Sequence, residues 1–317
     1  EHVSSALRYG ISQDRVSLGD QYFRTLPGGA RECDPLVAGT YLCEALGNRL
    51  TSTAGYSLLY DTLNNRQRPS AGMRALISQD FAGLGGDVKY LRTRISGAKY
   101  FDVGRGFVFS TSLEGGHILS FENENRPGVD AVRITDRFFL GEPQIRGFDI
   151  RGVGPRVLRT PYTDLNGTLS TDKRQITDDS LGGRMYYLGR AELEIPLGSS
   201  GRELGLRPSL FVDAGALFGL KDPTPGLLNV NFCNPNAGTT GVTTSTPYGT
   251  PCPTGFTAAP GFKEVYRGDS PKPRISVGAG VNWNSPFGPF RIDIAKAITK
   301  VEGDDTKLFT FNVGTAF

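Results

Sequence analysis

The 317-residue chain holds few side chains that could do covalent chemistry. Its two histidines, His2 and His117, have no neighbouring residues that suggest a nucleophile and its base. Two histidines and no Cys-x-x-Cys leave little with which to hold zinc. Gly83-Leu84-Gly85-Gly86-Asp87 has the glycine density of a phosphate cradle, but it lacks the Gly-Lys-Ser/Thr ending and a following helix, so it reads as a tight turn. Asp304-Asp305 could touch a cation; a solvated acidic turn is the simpler expectation. The four cysteines fall as local pairs, Cys33 with Cys43 and Cys233 with Cys252. No catalytic residue, cofactor or metal is expected.

The elements that would position such residues are legible from composition and pattern. The net charge of +3 leaves no nucleic-acid footprint. No run approaches the ~18 apolar residues of a membrane helix. A mean hydropathy of −0.26 suits a soluble protein, but also a transmembrane β-barrel, in which only every second strand residue meets lipid. The 42 glycines follow no G-X-Y period. Glu1-His2-Val3-Ser4 is no signal peptide, and Leu7, Tyr9 and Ile11 already alternate, so the chain reads as a piece of a longer or processed protein.

Period-2 alternation recurs throughout, and no convincing amphipathic helix accompanies it. Tyr187 to Leu197, Ser209 to Ala216, Arg274 to Trp283, Phe290 to Ala295 and Leu308 to Phe317 all alternate. One face of each is apolar or aromatic; the other carries Gly, Ser, Asn, Arg, Glu and Asp. A soluble β-sandwich also alternates, but its inner face would be large aliphatics at core density. An apolar exterior around a polar lumen fits better. The pattern predicts about ten strands, near 2–16, 53–62, 72–83, 88–101, 106–118, 183–197, 204–218, 274–284, 289–298 and 308–317. Short connections (64–71, 102–106, 198–203, 284–288) alternate with long ones (17–52, 119–182, 219–273), the asymmetry of outer-membrane barrels; the short 83–88 link is an exception. Each cysteine pair shares one long loop on the outer side, where oxidising conditions favour disulfides. Four free thiols would fit a cytosolic protein, which the barrel reading disfavours.

Gly141-Glu142-Pro143-Gln144-Ile145-Arg146-Gly147-Phe148 resembles the [VI]-R-G-F segment of the BamA-type outer-membrane assembly-factor family. Five further stretches resemble that family in the same order: Tyr60 to Arg66, Gly83 to Tyr90, Leu193-Glu194-Ile195-Pro196, Phe211-Val212-Asp213-Ala214-Gly215, and Trp283 to Asp293. The chain also closes on an aromatic, Phe317, and the resemblance covers essentially its whole length. It implies an all-β, transmembrane antiparallel β-barrel of sixteen strands preceded by periplasmic POTRA domains. Residues 1–317 would form the C-terminal part of that one domain, with the early strands and every POTRA module absent. Such a piece would leave two strand edges open.

The family's function implies folding and insertion of nascent outer-membrane β-barrel proteins in the lipid bilayer of the bacterial outer membrane. Assembly lipoproteins would be its partners on the periplasmic side, and no nucleic acid is involved. Alternatives are a translocation assembly module, a two-partner secretion pore or a passive diffusion channel. The resemblance also implies that the 119–182 loop folds into the lumen through Ile145, Arg146, Gly147 and Phe148. There Arg146 would meet Glu194 and Asp213, which parity already places on the polar face; a planar guanidinium can clasp two carboxylates. Gly314 would weaken a lateral seam through which clients enter. Phe309, Phe311, Val313 and Phe317 would form a lipid-facing terminal-strand signal.

Overall fold

The computed structural model describes residues 2–26, 28–198, 205–239, 243–285 and 288–313. In chain order the strands are β1 (Val3–Val16), β2 (Phe23–Thr25), β3 (Arg31–Cys33), β4 (Gly47–Asp61), β5 (Gly72–Gly86), β6 (Tyr90–Gly104), β7 (Phe107–Ser120), β8 (Arg156–Pro161), β9 (Thr177–Ser180), β10 (Met185–Glu194), β11 (Leu206–Phe218), β12 (Asn229–Pro235), β13 (Thr244–Pro247), β14 (Phe256–Arg267), β15 (Arg274–Ser285), β16 (Gly288–Thr299) and β17 (Phe309–Val313). Two short helices, α1 (Pro35–Ala38) and α2 (Thr40–Ala45), lie between β3 and β4. Ten strands make one sheet in the order β1-β4-β5-β6-β7-β10-β11-β15-β16-β17, each antiparallel to its neighbours. The sheet is an open wall with β1 and β17 at its edges.

Alternation gives the wall two unlike faces. Leu113 is 70% exposed, and Leu210, Val212, Ile294, Phe309, Phe311 and Val313 share its exposed outer face. Aromatic rows continue across strands there: Trp283 lies 5.6 Å from Phe290, and Phe290 stacks 5.9 Å from Phe311. An apolar face of this extent belongs against lipid. The inner face carries buried Asp213, Ser276, Asp293 and Thr310 instead. Because the side-chain period is two, register fixes which residues share a level on that face.

The core lies between this inner face and the connection from β7 to β10. Leu140, Ile145, Phe148 and Val153 of that connection pack with Ile118, Leu188 and Leu217 of the wall. Sequence patterning marked the long connections as loops. The structure instead builds a second sheet from two of them, in the order β13-β12-β14-β8-β9. Its strands are short, and segments such as Thr177-Asp178-Asp179-Ser180 have no apolar alternation to announce a strand. The Cys33–Cys43 and Cys233–Cys252 disulfides both form, one in each of two long connections.

Candidate functional site

The Ile145–Phe148 segment is held on the inner face by several independent contacts. Ile145 and Phe148 are fully buried. Gly147 has φ +85°, a left-handed conformation natural to glycine. A Cβ at Gly147 would also come within 3.0 Å of the Ser276 Cβ and 3.3 Å of the Ala295 Cβ, so this loop touches the wall where it has no side chain. The β16–β17 connection grips the same segment from another side. Lys307 N donates to the Gly147 carbonyl (3.2 Å) and Asp149 N to the Asp305 carbonyl (3.1 Å), while Phe148 bridges Thr306. Lys307 Nζ adds a contact to Glu142 Oε2 at 3.1 Å.

Arg146 is the polar centre. Its backbone N and Nε donate to Asp213 Oδ2 (3.0 and 2.8 Å), and Nη2 donates to Asp213 Oδ1 (2.6 Å). Nη1 donates to Glu192 Oε2 at 2.8 Å. The guanidinium carbon lies 3.4 Å from the centre of the Phe211 ring, close enough for cation–π attraction. That ring has room because Gly278 faces it; a Cβ there would stand 2.5 Å from Phe211 Cζ. Arg291 completes the array, donating from Nη2 to Glu192 Oε1 (3.0 Å) and from Nε to Asp293 Oδ2 (2.9 Å). Asp213, Glu192 and Asp293 thus alternate with Arg146 and Arg291 along one chain of ion pairs. Every carboxylate in it is shared or bidentate, the arrangement that makes buried charge tolerable.

The structure brings Arg146 to Asp213 but not to Glu194. Glu194 pairs with Arg207 at 3.6 Å, both side chains about one-third exposed. Glu192 takes its place. The two glutamates share a face, so alternation alone does not separate them; register does, setting Glu192 opposite Phe211 and Glu194 opposite Ser209, one pleat further along. Glu192, Phe211, Arg291 and Asp293 were absent from the site as read from sequence. Phe211, Arg291 and Asp293 lay within family-like stretches without an assigned role, and Glu192 carried parity alone.

Asp304 also departs from expectation. It is no solvated turn residue: its side chain and that of Arg274 are both fully buried, with Arg274 Nε 3.0 Å from Asp304 Oδ2. Arg274 Nη2 further donates to the Gly268 carbonyl at 2.6 Å. Gly83–Gly86 completes β5, and Asp87 after it accepts from Leu50 N at 2.9 Å. Phe309, Phe311 and Val313 lie exposed on the outer face. Gly314 and Phe317 lie outside the described residues.

The array has the chemistry of a clamp. A guanidinium stays protonated and donates up to five directed bonds, so it can fasten a loop to two strands but is a poor proton shuttle.

Comparison with known proteins gives the array its setting. A profile of the Omp85 superfamily domain matches residues 1–317. The outer membrane protein assembly factor BamA of Neorickettsia risticii is 32% identical over 272 residues, covering 86% of this chain and 28% of the relative. The protein of the same name from Neisseria meningitidis is 23% identical over 250 residues, covering 78% and 26%. The chain therefore spans about a quarter of the length of these curated relatives. The crystal structure of BamA from Haemophilus ducreyi lacking POTRA domains 1–3 superposes with a TM-score of 0.60 at 21% identity, over 98% of this chain and 50% of that one. Matched over its whole length and sharing that barrel wall, the chain belongs to the Omp85 superfamily of the outer membrane.

Proposed function

We propose that this chain is the C-terminal, ten-strand part of a sixteen-stranded assembly factor that folds and inserts outer-membrane β-barrel proteins. The observation that carries the reading is the Arg146 array, which fastens the Ile-Arg-Gly-Phe segment to the inner face. In the complete barrel that face lines the lumen, and the β7–β10 connection lies within it. The array acts as a clasp, keeping the loop inside while the wall moves.

The moving part of this proposal is the β17 edge. β17 lies at one edge of the wall and β1 at the other. Gly314, next in the sequence after Val313, supports a seam that opens sideways, since a strand glycine weakens pairing. A client strand then adds to the freed edge by β-augmentation. Periplasmic assembly lipoproteins and the missing upstream domains would deliver clients.

Reconstitution of the full-length protein in liposomes tests this. Insertion of an unfolded outer-membrane barrel, slowed by Gly314→Val with the wall intact, supports the proposal. Steady ion conductance without insertion would instead favour a diffusion channel, and unchanged insertion kinetics in Gly314→Val would remove the seam role.

A further inference from the structure

We infer that Arg190 is a stand-in cation for Asp213: it takes this carboxylate when Arg146 leaves, and so sets how readily the β7–β10 loop is released. The inference rests on the clasp reading of Arg146.

Arg190 sits directly opposite Asp213 in the β10–β11 register, with uncharged Ser112 on its β7 side. Directly opposed side chains start about 5 Å apart, so Arg190 needs only a rotamer change to reach Asp213. It lines the same cavity of about 130 Å³ as Arg146, Glu192, Arg291 and Asp293. Yet among the described residues its side chain makes no hydrogen bond or ion pair, and its Nε is buried without a partner. Arg146 and Arg291, on the same array, have their charges met by carboxylates.

A half-buried guanidinium whose Nε is shut away without a partner carries a cost, and a fold tolerates it where another state satisfies it. Charge bookkeeping identifies that state. With the loop seated, Arg146, Arg190 and Arg291 balance Glu192, Asp213 and Asp293. With Arg146 withdrawn, Asp213 loses its three donors, and a buried carboxylate without a cation is strongly disfavoured. Arg291 is already held by Glu192 and Asp293. Among the described residues Arg190 is the remaining cation lining that cavity, directly across from the abandoned carboxylate. Arg146 wins in the seated state because its backbone N also binds Asp213. The carboxylate therefore has two alternative partners, one on the loop and one on the wall, and after release each of the three carboxylates still faces an arginine, with Arg291 serving two of them. An external anion is the less apt occupant, because the cavity already holds Glu192 and Asp293.

The two roles differ in sign. A merely structural Arg190 would loosen the loop when removed; a competitor tightens it. Hydrogen exchange of residues 140–150 in the reconstituted full-length protein reads this out, with heat-modifiable gel mobility verifying the wall. Arg190→Ala should slow exchange roughly tenfold, the effect of about one charge-assisted hydrogen bond. Arg190→Lys, which keeps a competing charge, should stay near wild type. Arg146→Ala should speed exchange, and Arg146→Ala with Arg190→Ala should damage the barrel by more than the sum of the two. If Arg146→Ala leaves exchange unchanged, the clasp itself is wrong. If Arg146→Ala loosens the loop while Arg190→Ala loosens it too or does nothing, the clasp stands and the stand-in is wrong.

Discussion

Two arginines fasten the long connections of this protein, and they do it differently. Arg146 meets groups of the wall, the carboxylates of Asp213 and Glu192 and the Phe211 ring. Arg159, in the second sheet, joins three connections. It donates to Glu264 Oε1 on β14 (2.6 Å) and to the carbonyls of Leu36 (2.6 Å) and Pro35 (3.2 Å) in the β3–β4 connection, with its guanidinium carbon 4.3 Å from the Phe262 ring centre. Glu264 in turn accepts from Leu228 N at 2.9 Å. A backbone carbonyl has a fixed position and no charge to satisfy elsewhere. The wall site thus joins its loop to side-chain carboxylates of two strands, whereas the second-sheet site joins its connections largely through backbone carbonyls. Around Arg159, the Thr40 hydroxyl donates to the Gly226 carbonyl at 3.0 Å and the Tyr41 hydroxyl to Asp179. The Cys33–Cys43 disulfide closes the segment that carries these contacts.

The largest effect should come from a third arginine site, where no solvent reaches either partner. Asp304→Arg would place two guanidinium groups in a fully buried position and leave Arg274 without its carboxylate. Loss should exceed the ~3–5 kcal/mol typical of a broken buried pair, read as loss of the heat-resistant folded band.

Next comes the wall clasp. Arg146→Ala should cost about 3–5 kcal/mol locally and raise protease cleavage between Leu119 and Gly182. Arg146→Lys should rescue only part of this, since an ammonium lacks the planar fork. The choice of carboxylate sharpens the comparison. Glu192→Gln should cost about 1–3 kcal/mol, and Glu194→Gln under about 0.5 kcal/mol because its pair is partly solvated. Equal effects from the two glutamates would break the register argument.

Arg159→Ala should open the second sheet by about 1.5–3 kcal/mol, with faster exchange in residues 34–45 and 256–267. The wall strands and the Arg146 loop should keep their protection. Loosening at both sites would show that the two fastenings are one cooperative unit.

The smallest effect concerns pH. Burial raises the carboxyls of Asp178 and Asp136 above the usual range, even beside Arg156 and Arg92 respectively. A raised carboxyl binds its proton more tightly in the folded state, so its contribution weakens as pH rises through the folded pKa. Glu124 behaves oppositely: hydrogen bonds from Arg126 hold it down to about 2, so what it contributes is lost as pH falls towards that value. As pH falls from neutral towards the raised pKa of these carboxyls, the connections should become slightly more protected, by no more than roughly a few-fold in exchange rate. Asp178→Asn should flatten that slope.

The strand wall was legible in the sequence because its signal is local. Leu210-Phe211-Val212-Asp213 tells each residue which face it occupies without reference to any partner, as a period of two requires. The disulfides were legible because each pair shares one connection. The carboxylate pairing was not. Glu192 and Glu194 carry the same parity, and only the register with β11 sets Glu192 at the level of Arg146. Nor could charge patterning reveal that Asp304 is buried: its partner Arg274 is thirty residues away, and the contact exists only because the connections fold over β15. The second sheet was hidden for the same reason. β8 and β14 pair across about a hundred residues, and neither has apolar alternation strong enough to announce a partner. What the sequence by itself determined was the facing of each wall residue, because backbone stereochemistry imposes that alternation. Only the tertiary structure decided which charges meet, because hydrogen bonds between ions need specific atoms within about 3 Å, and that distance depends on register and on the path of the loops.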